Sequence, residues 1–318
     1  MSRGGAIGFV WRNRSFAMIR RILIAAGAFA LPACGPEPEP ENSMTEKSVT
    51  GGLDDKAAMQ SQTGATAILN AGVMTELGAA DQPVKFLFDP LYDDHYGTFQ
   101  PMDQALINRI VEGQAPYDNV DAVFVSHAHG DHFSPAAFNR MMAAQSELKL
   151  IAPKQAIEQM RGDQGWDPVF AVRITEIALE NGEQAAAFEI SGARVEAFRS
   201  PHTGWPDNHS DVHNITYRIS ALVGDASYQR VMHFGDADPS RKHYAAHGEF
   251  LSSARTGLAI VPYWHFGTAN PGSLIDQTFN AERAVGMHVP VSVPGWLGKT
   301  DRAYFTEEGQ VAAIPETE

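Results

Sequence analysis

Four side chains suited to metal chemistry lie within six positions: His127, His129, Asp131 and His132, in the run His-Ala-His-Gly-Asp-His. Imidazole nitrogen and carboxylate oxygen are ligands for divalent cations. In extended chain, residues two apart point the same way, so His127 and His129 grip one cation together. Gly130 permits a sharp turn, after which Asp131 and His132 face a second cation beside the first. One loop thus feeds two cations. A donor set without thiolate suits zinc first, with manganese or iron as alternatives. A lone strand-end histidine is ordinarily a hydrogen-bonded surface residue, and His-x-His pairs arise by accident. The density of the whole pattern argues against both.

The elements around this run place it in a strand-to-helix loop. Residues 122–125 are apolar and read as a buried strand delivering its C-terminal end to the loop. Ser134 and Pro135 then supply a cap and a first helical position, and Phe138, Met141 and Met142 recur at helical spacing. Residues 65–70 and 84–88 read as strands before the loop, and 105–111 as a helix. After it come a strand at 148–152, a short helix at 155–160 and strands at 174–179, 186–190 and 195–198. Alternating strands and helices followed by consecutive strands predict a mixed α/β sandwich, not a doubly wound parallel sheet.

The His-Ala-His-Gly-Asp-His run resembles the His-x-His-x-Asp-His motif of the metallo-β-lactamase-fold hydrolases. The resemblance implies an α/β fold, an αββα four-layer sandwich of two mixed β-sheets flanked by helices, with metal at one edge. Three further segments match the family's later metal motifs in order and local context. They are Arg199-Ser200-Pro201-His202, Met232-His233-Phe234-Gly235-Asp236 and Gly286-Met287-His288. Carried over residue by residue, His127, His129 and His202 hold one metal. Asp131, His132 and His288 hold the other, and Asp236 bridges; His209 or His213 stands as an alternative to His202. The resemblance also implies that Asp89 accepts a hydrogen bond from a motif histidine, against the plainer role of a turn former before Pro90. Asp131 is in addition a candidate catalytic carboxylate. His213, with His209 as its alternative, is the candidate catalytic group that reaches the substrate. His95 and Asp93 are further ligand candidates. His233, His243, His247 and His265 read as ordinary polar or packing residues.

Two adjacent divalent cations acidify a bridging water and polarise the bond it attacks. The chemistry implied is hydrolysis of an ester, lactone, amide or phosphodiester, and the Gly-x-Ser-x-Gly arrangement of serine hydrolases is absent. Phe88-Asp89-Pro90, the segment His233 to Asp238 and Gly286-Met287-His288-Val289-Pro290 are most similar to the branch holding ascorbate-6-phosphate lactonase-like proteins and N-acyl-phosphatidylethanolamine phospholipase D. That similarity implies a phosphodiester or lactone bond in a small-molecule or lipid substrate. The alternative from another class is a non-catalytic, metal-containing lipoprotein that binds a ligand or partner.

Arg20 and Arg21 precede the apolar run 22–31, which closes in Leu31-Pro32-Ala33-Cys34. A basic start, an apolar stretch of this length and small residues describe a secretory signal over residues 1–33, with Met18 as a plausible start. The last four residues resemble a bacterial lipobox, in which the cysteine carries lipid. Cys34 is the one cysteine in the sequence, so neither a disulfide framework nor a thiolate site is available. Residues 34–63, rich in Pro, Glu and Ser, read as a flexible tether, and 64–318 as one hydrolase domain. Gly35 after the cysteine resembles lipoproteins sorted to the outer membrane, giving an expected place on its periplasmic face. Loss of five arginines with the signal, from 24 basic residues, leaves 19 against 38 acidic ones, a formal −19. Such a surface repels phosphate backbones and argues against nucleic acid as a partner. The expected membrane link is the lipid on Cys34.

Overall fold

The computed structural model describes residues 63–318. The expected export signal, Cys34 and all but the last residue of the expected tether lie outside the described residues.

The first half of the domain opens as an antiparallel meander of β1 (Gly64–Ala67), β2 (Val73–Leu77) and β3 (Val84–Phe88). It continues in parallel through β4 (Ala122–Phe124), β5 (Lys149–Pro153) and β6 (Ile174–Ile177). The second half repeats this plan. Antiparallel β7 (Ala186–Ile190), β8 (Ala193–Arg199), β9 (Ile215–Leu222) and β10 (Tyr228–His233) pass into parallel β11 (Thr256–Pro262) and β12 (Ala281–Met287). The C-terminal strands join both sheets: β13 (Val311–Ala312) pairs with β1 and β14 (Glu316–Thr317) with β10.

Strand alternation explains the layers. In β3, Phe86 and Phe88 enter the apolar cluster between the sheets, while Leu87 faces the opposite way. Leu258 and Ile260 of β11 likewise face inward, and Ala259 and Val261 outward. Both faces of each sheet are therefore buried, which is why these strands read as continuous apolar runs. The outer face of the first sheet is covered by α1 (Gln104–Val111), α2 (Pro135–Ala144) and α3 (Lys154–Gly162). Ser134 Oγ accepts from Ala137 N at 3.3 Å and Pro135 occupies the first turn, as the cap signal predicts. Short helical turns and α4 (Gly248–Ser252) cover the second sheet. The result is the expected sandwich of two mixed sheets between helical layers.

Some elements depart from the sequence reading. The strand predicted at 65–70 ends at Ala67, because Asn70 adopts φ 53° in a tight turn closed by Gly72 N donating to Leu69 O at 2.7 Å. That turn creates β2, which the sequence did not mark. Strand β9 was also unmarked: Arg218 interrupts its apolar pattern yet is buried, its Nε donating to Glu196 Oε2 at 2.8 Å. Strand β11 is a short apolar run, which periodicity alone cannot separate from a buried helix.

Candidate metal centre

Parallel pairing brings β3 and β4 to a common C-terminal edge. β8, β10 and β12 run together on the other sheet. Each of these five strands ends beside a candidate polar group, so one rim of the sandwich gathers residues distant in sequence.

Asp89, buried and at φ 43°, sits just past β3 and anchors the histidine loop. Its Oδ1 accepts from Ser126 N at 2.7 Å, and its Oδ2 from Ser126 Oγ at 2.6 Å and His132 Nδ1 at 2.8 Å. The hydrogen bond expected between Asp89 and a motif histidine is therefore present. Because the Ser126 hydroxyl spends its one hydrogen on Asp89, it accepts from His127 Nδ1 at 3.0 Å. His202 Nδ1 donates to Thr203 O at 2.8 Å. These bonds protonate Nδ1 on three imidazoles and leave each Nε2 lone pair facing the rim.

The seven candidate ligands come together. His127, His129 and His202 form one group whose ligand atoms lie within 4.8 Å of one another; Asp131, His132 and His288 form another, and Asp236 joins His127 and His132 in a third. His127 Nε2 lies 3.1 Å from His129 Nδ1, and His288 Nε2 lies 3.1 Å from Asp131 Oδ2. Asp236 stands between the halves. Its Oδ1 is 3.1 Å from His132 Nε2, and its Oδ2 is 3.5 Å from His202 Nε2 and 3.3 Å from His288 Nε2. His132 Nε2, His202 Nε2 and Asp236 Oδ1 are buried yet make no hydrogen bond. Buried polar atoms without partners are unfavourable, and here they aim at shared points. Ligands about 2 Å from a tetrahedral cation lie roughly 3.3 Å apart, the spacing seen between these atoms. The donor set therefore fits divalent metal.

Electrostatics within the cluster follow from crowding. Burial and the neighbouring His132 hold His127 well below the usual imidazole range, and burial with His202 pulls His129 down to about 4. Burial opposes ionisation of Asp236, but His288 and His132 hold its carboxyl well below the usual range. His132 and His288 are pushed up: burial disfavours their charge most, but Asp236 and Asp131 together outweigh it, with a hydrogen bond to Asp89 adding to the effect on His132.

Several positioning residues were not singled out from the sequence. Asn214, buried, accepts from Asp236 N at 2.9 Å through Oδ1 and donates through Nδ2 to Phe234 O at 3.0 Å. Asn70 donates to Asp131 O at 2.7 Å and accepts from His288 N at 3.0 Å through its backbone oxygen. Neither carries a spacing signal, since each acts across the fold.

His213 lies two residues before β9, and its Nδ1 is buried without a hydrogen bond. Its backbone N–H donates to Gln155 Oε1 at 2.8 Å, and burial with the nearby Arg199 lowers its pKa. The His209 ring lies beside the cluster, 5.2 Å from His129 and 4.7 Å from His202 between centroids. His95 accepts from Gly97 N within its own loop, and Asp93 accepts from Ser134 Oγ, the cap residue of α2. His233 stacks on Phe88 and bonds Ala71 O, a packing role. Beside His129 an open hollow of about 450 Å³ lies between Ala128, α3 residues Gln155 and Glu158, and Asp211.

The family profile described as Beta-lactamase superfamily domain matches residues 85–289, most of the described chain. The chain belongs to the beta-lactamase superfamily. The match begins in β3 and ends just past His288, so this superfamily domain contains every candidate ligand. Among solved structures the chain is similar to a possible metal-dependent hydrolase from Veillonella parvula. Identity is 16%, covering 80% of this chain and 100% of that one, with a TM-score of 0.51. It is also similar to the metallo-beta-lactamase fold protein YhfI from Bacillus subtilis, at 15% identity over 84% and 95% of the two chains, with a TM-score of 0.47. A comparison with curated proteins gave no match.

Proposed function

We propose that this superfamily member is a binuclear metal-dependent hydrolase. It cleaves a phosphodiester, lactone or other ester bond of a small-molecule or lipid substrate. The observation that carries the reading is Asp236, whose Oδ1 faces His132 of one group while its Oδ2 faces both His288 of that group and His202 of the other. A carboxylate so placed joins two metal sites. His127, His129 and His202 would hold one cation, Asp131, His132 and His288 the other, zinc being the first choice for both. Bound cations would supply an acidified water and polarise the scissile bond.

The chain's own residues do the rest. Asp89 and Ser126 fix the ring orientations of His132 and His127, so the lone pairs are aligned before any ligand arrives. The hollow beside His129 is large enough for a small substrate, and the ring of His209 stands at its metal side. His209 is placed to donate a hydrogen bond to a substrate oxygen. The reading further assigns the protein to the bacterial envelope, held by lipid on Cys34 at the periplasmic face of the outer membrane.

Metal analysis of the purified full chain, followed by hydrolysis of bis-p-nitrophenyl phosphate and a panel of lactones, tests this. Two equivalents of metal with turnover of either substrate class is the expected result. Two equivalents with no ester cleaved favours a non-catalytic binding lipoprotein instead.

A further inference from the structure

Seven large apolar side chains are strongly exposed among the described residues, and four of them, Tyr96, Val291, Val293 and Trp296, lie on two loops beside the metal centre. Val291 N donates to Thr98 O at 3.0 Å, which sets the loops side by side. The first loop presses the Phe99 ring on His288 at 4.0 Å and brings the Tyr96 hydroxyl over Gly130. The second leaves His288 directly and runs from Val289 to Gly298 without one charged residue, in a protein that is 19% charged. We propose that these loops seat the mouth of the centre on the surface of a zwitterionic lipid bilayer.

Tryptophan and tyrosine favour the boundary between water and hydrocarbon, and valine the hydrocarbon side. Pro290 and Pro294 restrict the second loop, so little chain freedom is lost on insertion. Trp296 is braced from behind: its ring stacks with Tyr263 at 6.0 Å and lies over Gly267. A stable protein partner needs about 800 Å² on each side, more than four side chains supply. A bilayer needs far less when the domain is already held near it. The lipid expected on Cys34, 29 positions before Thr63 in sequence, would hold the domain near a bilayer. Zwitterionic lipid is specified because the protein carries a formal −14 and the Tyr96 loop contains Asp93 and Asp94. The proposal concerns a docking surface and stands whether or not the centre is hydrolytic.

The test uses the full chain reconstituted with phosphatidylcholine vesicles carrying brominated acyl chains, with tryptophan quenching as readout. Trp296→Phe is expected to remove the quenched component. Val291→Asp with Val293→Asp is expected to abolish quenching at Trp296 while co-flotation through the lipid anchor and hydrolysis of bis-p-nitrophenyl phosphate stay unchanged. Equal quenching in the parent and both variants overturns the proposal. So does conversion of a dimer to a monomer by the double variant in lipid-free solution, which would make a second copy the occupant.

Discussion

Asp89 touches no candidate cation, yet it receives three hydrogen bonds that orient two ligand rings. Removing it frees His132 to rotate and leaves the Ser126 hydroxyl to find another acceptor. Asp89→Ala is expected to weaken metal binding by about 10–100-fold, read by competition with a coloured chelator. His129→Ala and Asp236→Ala remove ligands outright. Each should abolish turnover and reduce metal content while circular dichroism remains that of the parent. Full activity in either variant would remove that residue from the centre. Gly235 has φ 53°, and a Cβ there would run into the Asn214 carboxamide oxygen and lie 2.5 Å from Ser126 Cβ. Backbone and side-chain clash act together, so Gly235→Ala should lower stability by about 1–3 kcal/mol, measured by urea unfolding.

At the scale of elements, the rim depends on β8 and β9 staying in register, because they place His202 and Asn214. The buried pair Arg218 and Glu196 links these strands, and the Arg218 guanidinium also lies 4.0 Å over the Phe250 ring and donates to Phe250 O at 3.1 Å. Glu196→Ala strands a buried cation. A loss of about 3–5 kcal/mol is expected in chemical denaturation. Glu196→Gln retains an acceptor and should lose less.

For the whole molecule, metal loading and pH are linked through the crowded cluster. Asp236 and Asp131 together overcome burial and raise the pKa of both His132 and His288, so each gives up a proton to an incoming cation less readily than an ordinary imidazole. His129, at about 4, is already a free base near neutrality. Loading therefore releases protons, and affinity rises with pH and falls on acidification. The apparent binding constant should change about tenfold per pH unit for each proton displaced. Isothermal titration in buffers of different ionisation enthalpy counts those protons. A count of zero would contradict the assignment of His132 and His288 as ligands.

The histidine loop was legible because four of its donors lie within six residues, where chain geometry alone makes neighbours of them. Strands β3 and β4 and helices α1 to α3 were legible for a similar reason: periodicity and caps are local properties. Matching His202, Asp236 and His288 to later motifs identified them by resemblance. Their meeting, however, depends on parallel pairing between strands separated by long connections. What only the tertiary structure decided was the approach of the His209 ring to His129 and His202, the roles of Asn70 and Asn214, and the interior place of Arg218. Each rests on which face of a strand or turn meets a distant segment. A one-residue change in register reverses that face, and only packing across the sheets selects it.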